Sequence, residues 1–423
     1  MAGSALVLLG CAYFLGAIFG IWRYRTPLNP LSFTAVVSGG ITFLSGLIVY
    51  SQLRIAPYSA ADAARVSYVA LVAFVGTVTP YLFSGPLPRR AFGLLAHGFG
   101  LGSDRIATRF SWIKFGFLLG AAALSFVSLA ILGGGGLLWI TDTRTAYINY
   151  RAGAGPFFAA FQWFQVFALV YWLWARRPTR TLSVALVVAP FAALASFSGS
   201  KSNILTILII GIAYYHFRVR RIPLPIYVLM IPAALTAFSW LLVMQGFSPT
   251  DALPVVVYFK DYFDTGAQFL SRFDEFGFRY GAANISQLWQ YVPRALYPEK
   301  PYEYGLTLVH KVLFPGAAAT GNTPGIVFWA TAYLDFGVAG VFVWGLLGSL
   351  WQRAAYEYYL WNTGSVFGFL LMMQFALWPP LPFATTSMTL VMCFVLGLYF
   401  RLSVMGRGRS RAPAPTAAVA PMA

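Results

Sequence analysis

The sequence has few charges, few histidines and almost no cysteine, and each shortage argues against a class of protein. Only 10% of its 423 residues are charged, too few to solvate a globular protein of this size. The two cysteines, Cys11 and Cys393, lie in apolar stretches near opposite ends of the chain and predict no disulfide framework. The three histidines are scattered, and the sequence contains no Asp-x-Asp pair, P-loop, Gly-x-Gly-x-x-Gly or His-Glu-x-x-His motif. We therefore predict no metal site and no cofactor.

Apolar residues dominate instead. They make up 59% of the chain, more than one soluble core can bury, so a bilayer must be part of the solvent. The net charge of +17 could indicate nucleic acid, but the basic residues fall in short runs between apolar segments. Loop charges that set membrane topology explain that distribution better, and no nucleic-acid partner is predicted.

A membrane-spanning helix needs about 20 apolar residues, and this length predicts about eleven spans, within a range of ten to twelve. The fold class is therefore an all-α polytopic membrane protein. The predicted spans are 4–22, 31–53, 66–83, 115–138, 157–174, 182–197, 203–217, 226–244, 326–350, 365–378 and 386–400. The first is interpreted as a retained helix, because no basic segment precedes it and no small-residue cleavage site follows.

The predicted organisation has four parts. Residues 1–244 form an N-terminal bundle of about eight spans, and 245–322 form one long extracytoplasmic loop with an amphipathic helix. Residues 323–400 supply about three further spans, and 401–423 form a disordered cytoplasmic tail. One side of the membrane collects 18 of the 29 Lys and Arg residues, which assigns it to the cytoplasm with the N-terminus outside.

The long loop holds most of the candidate site residues. Phe269, Phe273, Phe276 and Tyr280 recur at helical spacing, and charged residues recur at the same spacing on another face. This pattern predicts an amphipathic helix on the bilayer surface, which either only anchors the loop or lines a site for a lipid headgroup. The charged residues of this segment are Arg272, Asp274, Glu275 and Arg279.

Residues 290–301 follow, and three prolines make them a rigid, non-helical strap. The strap presents Arg294, Glu299 and Lys300, either to an anion at fixed distance or simply to solvent. Two further cations are predicted on the same side of the membrane. Lys201 lies in a turn between two short apolar segments, where it either snorkels or meets an anion, and Arg151 lies in an earlier loop.

Asp335 is the one charge inside the predicted spans. It either caps a break between a re-entrant half-helix and the true span, or it belongs to a polar site. Nothing in the sequence separates the two interpretations.

A small set of motifs carries a resemblance to a known family. The motifs are Ser198 to Lys201, Pro293-Arg294, Pro298-x-Lys300-Pro301, Thr323-Pro324 and Tyr333-x-x-Phe-Gly337 with Gly340. With them the chain resembles the O-antigen or oligosaccharide repeat unit polymerases of the Wzy type over most of its length, although few residues carry the likeness. Members of the family often have Gly-Glu shortly before the tyrosine of the last motif, where this chain has Ala330 and Thr331.

The resemblance implies a GT-C-like glycosyltransferase in the bacterial inner membrane with its active site facing the periplasm. Such enzymes join oligosaccharide repeats carried on undecaprenyl diphosphate, and the implied partners are these lipids, membrane lipids, and flippase and chain-length regulator proteins. An O-antigen ligase-like transferase and a polysaccharide or lipid transporter are the alternatives, and a structural membrane protein would leave the charged loop unexplained.

The predicted chemistry uses fixed cations to stabilise the leaving lipid diphosphate and a carboxylate to accept a proton from the acceptor hydroxyl. The predicted diphosphate-binding residues are Arg151, Lys201, Arg279, Arg294 and Lys300, and the candidate bases are Asp274, Glu275 and Glu299.

Overall fold

A computed structural model describes residues 2–53, 56–83, 93, 110–150, 154–244, 254–292, 297–301, 303–316, 325–363, 365–377 and 389–399. Within these ranges the regular structure is entirely helical. The principal helices are α1 (Ala2–Tyr24), α2 (Pro30–Ser51), α3 (Ala60–Leu82), α4 (Trp112–Leu132), α5 (Thr143–Asn149), α6 (Gly155–Arg176), α7 (Thr181–Ser196), α8 (Lys201–Tyr214), α9 (Leu224–Met244), α10 (Pro254–Ser271), α11 (Ala282–Ser286), α12 (Thr307–Leu313), α13 (Ala330–Trp361), α14 (Val366–Leu371) and α15 (Thr389–Tyr399).

Seven helices in the described ranges are long and apolar enough to cross a membrane. They are α1, α2, α3, α4, α6, α13, and α8 together with the π-helical turn Tyr215–Val219 that continues it. Four more apolar helices are shorter, in α7, α9, α15 and the run Val366–Ala376 that begins with α14. The protein is thus an all-α polytopic membrane protein, as predicted. Every predicted span overlaps one of these helices, while the number that cross the membrane stays a prediction.

The buried apolar residues form two main clusters, and α13 contributes to both. The first cluster joins α1, α2, α3 and α10 to the beginning of α13, where Leu334 and Val341 are fully buried. The second joins α4, α6, α7, α8 and α14 to the end of α13, where Tyr356 and Tyr359 are fully buried. Because α13 runs through both clusters, it fixes one half of the bundle against the other.

Glycine allows α3 and α13 to pack with their backbones in contact. A Cβ on Gly76 of α3 would collide with the carbonyl oxygen of Phe342 in α13. A Cβ on Gly345 of α13 would collide with the carbonyl oxygen of Ala73 in α3. Small residues of this kind let membrane helices approach closely, where van der Waals contact stabilises them.

The predicted boundaries differ most from the structure in two places. The ninth predicted span ends at 350, whereas α13 continues to Trp361 and so includes Arg353 and Glu357. The predicted amphipathic helix over 269–280 is wrong in extent, because α10 ends at Ser271. A 3-10 turn at Phe273–Glu275 follows, and Gly277 then adopts a positive φ of 63° that ends any helical path. The predicted tail, 401–423, lies outside the described residues.

Candidate functional site

The candidate site is built around a break near the start of α13. Phe336 and Gly337 depart from helical geometry, and Gly337 has φ of 62° and ψ of −147°, a conformation that favours glycine. The residue before the break is Asp335, whose side chain is fully buried. The break frees backbone carbonyl groups that an unbroken helix would have used for its own hydrogen bonds.

The long connection docks on this break through its backbone. The Arg279 amide donates to the Leu334 carbonyl oxygen at 3.0 Å, and the Tyr280 amide donates to the Asp335 carbonyl oxygen at 3.2 Å. Arg279 thereby has a fixed backbone position while its side chain is exposed to the surroundings. A cation held in this way is available to an anion outside the bundle.

The Asp335 carboxylate completes the docking. It accepts hydrogen bonds from the Ala283 amide at 2.9 Å, from the Asn284 amide at 2.9 Å and from the Asn284 side-chain Nδ2 at 2.7 Å. These amides belong to the first turn of α11, so Asp335 caps that helix from a distant part of the chain. Capping was one of the two predicted interpretations, with the difference that the capped helix lies in the long connection.

Asn284 was not among the predicted site residues. One feature of the sequence could have indicated that the first turn of α11 needs an acceptor from elsewhere in the chain. The position before α11 is Gly281, which offers no side-chain acceptor for the free amides of the first turn. A short helix that lacks its own cap requires an acceptor elsewhere, and a buried aspartate in an apolar span is a strong candidate for it.

Two of the predicted bases, Asp274 and Glu275, lie in the 3-10 turn that precedes Arg279, and both are exposed. Arg272 donates from Nε and Nη2 to the two carboxylate oxygens of Glu275, at 2.6 and 2.7 Å. The bidentate hydrogen bond and the charge of Arg272 hold the pKa of Glu275 below its ordinary value. The ion pair thus makes Glu275 a weaker proton acceptor than an ordinary glutamate.

The two ends of the strap are in contact with each other. Lys300 is buried, and its Nζ donates to the Val292 carbonyl oxygen at 3.0 Å while lying 5.0 Å from the centre of the Tyr304 ring. Trp289 and Tyr297 stack with ring centres 5.4 Å apart. The neighbouring Glu299 is exposed. Lys300 therefore holds the two ends of the strap together, and Arg294 lies between them, outside the described residues.

Lys201 lies at the start of α8, after a tight turn. Gly199 has a positive φ of 63°, and a Cβ there would lie 2.5 Å from the Thr143 carbonyl oxygen on α5. The turn is thus pressed against α5. Lys201 is half-buried, and Arg144 of α5 is close enough to act on it electrostatically. The turn brings two cations together, one of which was a predicted site residue.

The predicted residues thus belong to three groups. Asp274, Glu275 and Arg279 share the segment that docks on α13, Glu299 and Lys300 belong to the strap, and Lys201 lies beside α5. The segment Gln287–Tyr291 leads into the strap and packs against α6, which also contacts α7 and α8. The long connection therefore reaches from the first helical cluster to the second, which carries Lys201. Arg151 lies outside the described residues.

No group of three or more His, Cys, Asp or Glu side chains in the described ranges could hold a metal ion. The groups that could bind an anion in this part of the molecule are therefore the cationic side chains of the three groups. Arginine suits phosphate oxygens in particular, because its guanidinium can donate to two of them at once.

Two curated proteins, both named O-antigen polymerase, are similar to this chain. One is from Salmonella typhimurium and the other from Salmonella typhi, and each is 24% identical over 229 residues. The alignment covers 52% of this chain and 54% of each relative, so the chain spans about half the length of the curated relatives it matches. No family model matches, no solved structure matches, and the GT-C-like architecture stays a prediction. The two relatives confirm the resemblance to O-antigen polymerases that the sequence motifs indicated.

Proposed function

We propose that the protein joins undecaprenyl-diphosphate-linked oligosaccharide repeat units into a polysaccharide such as O-antigen, capsule or exopolysaccharide. The similarity to two proteins named O-antigen polymerase carries this proposal. The donor is a growing chain on its lipid diphosphate, and the acceptor is a hydroxyl of the next lipid-linked repeat. The reaction takes place at the periplasmic face of the inner membrane, and a flippase and a chain-length regulator act with the enzyme.

Breaking the glycosidic bond to the donor leaves negative charge on the lipid diphosphate, and fixed cations lower the barrier to this step. In the proposed mechanism Arg151, Lys201, Arg279 and Arg294 stabilise that charge without a divalent metal. The backbone hydrogen bonds of residues 279 and 280 to α13 support the role of Arg279. They fix the position of the backbone from which its side chain extends. A fixed backbone limits the positions that the Arg279 side chain can reach, which reduces the reorganisation needed when the charge develops.

Lys300 was predicted to bind the diphosphate directly, and that role stays a prediction. Its contact with the Val292 carbonyl supports a role through the strap, in which Lys300 holds the loop that carries Arg294. The two roles differ in the expected effect of Lys300→Met. A strap role predicts faster trypsin cleavage after Arg294, because the Val292 carbonyl loses its donor. A role only at the diphosphate predicts slower chain growth with unchanged cleavage.

The acceptor hydroxyl must lose its proton to a base. Asp274 is our first candidate, because it is exposed on the same turn as Glu275 and lies outside the Arg272 ion pair. Glu275 is disfavoured by its lowered pKa, and Glu299 of the strap is the second candidate. The prediction ranked Asp274 and Glu275 together, and the ion pair between Arg272 and Glu275 supports placing Asp274 first.

The test is a reaction of the purified full-length protein in nanodiscs with lipid-diphosphate-linked repeats, in the presence of a chelator. A ladder of products that differ by one repeat supports a polymerase, and a single transfer of a preformed chain supports a ligase. Arg279→Ala and Arg294→Ala should each slow chain growth by roughly a hundredfold. Lys311→Ala is the matched control, since Lys311 is an exposed cation of the same connection that pairs with Glu303.

Normal ladders from both arginine variants would refute the cation mechanism. Lipid-linked repeats that move across the bilayer without forming glycosidic bonds would instead indicate a transporter. Loss of growth on chelation that added magnesium or manganese restores would refute the metal-independent form of the proposal.

A further inference from the structure

A second candidate site lies at the end of the bundle where α8 ends and Arg220 and Arg221 follow, which we call the arginine-rich end. Lys201 lies at the other end of α8. α7, α8 and the start of α9 enclose a groove of about 640 Å³, which is within the size range of small-molecule sites. Its walls are almost entirely apolar and include Val184, Ala185 and Val188 of α7 and Leu208 and Ile212 of α8. None of the residues proposed for polymerisation lies in it.

The floor of the groove is the level at which α7 and α8 come into contact. A Cβ on Gly211 of α8 would lie 2.6 Å from Cγ2 of Val188 on α7, so the two helices touch at this level. Towards the arginine-rich end they leave a gap, because Ala185 carries only a methyl group and is exposed to the groove. Apolar walls in a membrane protein are satisfied by lipid chains, which cannot be replaced by water without cost.

Polar groups collect at one end of the groove only. Arg220 and Arg221 line it there and are both exposed, and the Thr181 hydroxyl lies 3.1 Å from the Tyr215 hydroxyl. All residues that line the groove are described, and they include no acid. The groove therefore presents two positive charges and two hydroxyl groups above an apolar slot.

The two arginines follow a π-helical turn that a buried histidine holds in place. Nδ1 of His216 accepts a hydrogen bond from the Ile222 amide at 3.1 Å, and Nε2 lies 3.0 Å from the Thr26 hydroxyl oxygen. Because Ile222 directly follows Arg221, this network fixes the backbone that carries both arginines. The backbone of the cationic end is preorganised, which reduces the entropy lost when an anion binds.

We propose that this groove binds one anionic phospholipid of the adjacent leaflet. Its phosphate meets Arg220 and Arg221, and one acyl chain lies against α7 and α8. A guanidinium donates to two phosphate oxygens at once, which favours a phosphate over a carboxylate or a sugar hydroxyl. An anionic lipid gains from both arginines, whereas a zwitterionic lipid brings an ammonium group that they repel. The sequence assigns this end to the cytoplasm, so the lipid comes from the inner leaflet.

The first test is native mass spectrometry of the full-length protein, titrated with phosphatidylglycerol or with phosphatidylcholine of the same acyl chains. We expect phosphatidylglycerol to bind in one preferred copy, and Arg220→Gln/Arg221→Gln to weaken it by about fivefold for each arginine. The control Arg25→Gln/Arg177→Gln removes two other exposed arginines and should leave that copy bound. Equal binding of the two lipids, or equal loss in both double variants, would overturn the proposal.

The second test fills the slot and leaves the arginines in place. Ala185→Trp projects a large side chain into the groove and should reduce phosphatidylglycerol binding at least as much as the arginine variant. Leu186→Trp is its matched control, because Leu186 is 65% exposed on the same helix and does not line the groove. If Ala185→Trp folds, as its circular dichroism would report, and binds as the wild type does, the acyl-chain part of the proposal is wrong.

Discussion

The carboxylate of Asp335 lies 2.9 Å from the backbone nitrogen of Ala283, a residue 52 positions earlier in the chain. A break in a buried helix and the first turn of a short helix in the long connection thus satisfy each other's free polar groups. Neither could be buried alone without cost, because unpaired amides and an unpaired carboxylate are both expensive away from water. This contact links the apolar bundle to the segment that carries Arg279.

Asp335→Asn should release that segment. Its amide group keeps the shape of the carboxylate but loses the charge, and one of its two ends would face an amide donor with a donor of its own. Loss of charge-assisted hydrogen bonds should cost about 2 kcal/mol, which corresponds to roughly 30-fold faster hydrogen exchange over residues 279–286. Glu303→Gln is the control, since it alters an exposed carboxylate of the same connection. Unchanged exchange in Asp335→Asn would contradict the capping role.

Much of the fold was predictable because the apolar segments are long. Hydropathy and length identify a helix wherever a span such as Trp112–Leu132 must bury its backbone polar groups without water. The same reasoning cannot find a partner that is distant in sequence. The residues around Asp335 do not indicate Ala283 or Asn284, which lie 52 and 51 positions earlier in the chain.

The aromatic periodicity over 269–280 misled for a different reason. Phe269 and Phe276 are both buried and their rings lie 5.2 Å apart, so helical spacing did predict their proximity. They meet across a turn, however, because the chain leaves the helix after Ser271 and Gly277 has a positive φ. The spacing of the aromatic residues predicts which side chains lie close together, but it does not predict the backbone conformation between them.

Glu357→Gln should destabilise the bundle strongly. Arg353 is only 3% exposed, and its Nε donates to Glu357 Oε1 at 2.7 Å, while Tyr24 donates to the same oxygen at 3.1 Å. Removing the acidic partner leaves a buried cation, at a cost of about 3 kcal/mol or more in the free energy of unfolding. Denaturation in detergent micelles measures this change.

The double variant Arg353→Met/Glu357→Leu supplies the comparison. It removes both charges, so no unpaired ion remains, and an apolar pair of similar size can be close to neutral. We expect it to be more stable than Glu357→Gln alone. If the single variant were as stable as the wild type, the ion pair would have no structural importance.

Lys300→Met should open the strap. Methionine keeps an unbranched apolar side chain of similar length, but the Val292 carbonyl loses its donor, which costs on the order of 1 kcal/mol or more. Trypsin cuts after Arg294, so the rate of cleavage there reports how firmly the strap is closed. We expect faster cleavage in Lys300→Met and near wild-type cleavage in Lys300→Arg. Lys311→Met, which removes an exposed cation of the same connection, should cleave as the wild type does.

The turn beside Lys201 should depend on pH through Asp142. This residue precedes α5 and accepts a hydrogen bond from the Thr145 amide at 3.1 Å. Side-chain and backbone hydrogen bonds from Thr145 lower the pKa of Asp142 in the folded protein. A carboxylate with a lowered folded-state pKa contributes its full stability above its ordinary pKa, and the contribution is lost as the pH falls through the lowered value. α5 should therefore loosen as the pH falls below about 4.

Asp142→Asn isolates this effect, because asparagine can accept the same hydrogen bond and does not titrate. The measurement is hydrogen exchange over residues 143–149, taken as the ratio of wild type to Asp142→Asn at each pH, so that the intrinsic pH dependence of exchange cancels. We expect a constant ratio from pH 7 to 5 and a rising ratio below pH 4. A ratio that stays constant to pH 3 would show that the charge of Asp142 does not stabilise α5. Since Gly199 presses against α5 at Thr143, the peptide that carries Lys201 should follow the same curve.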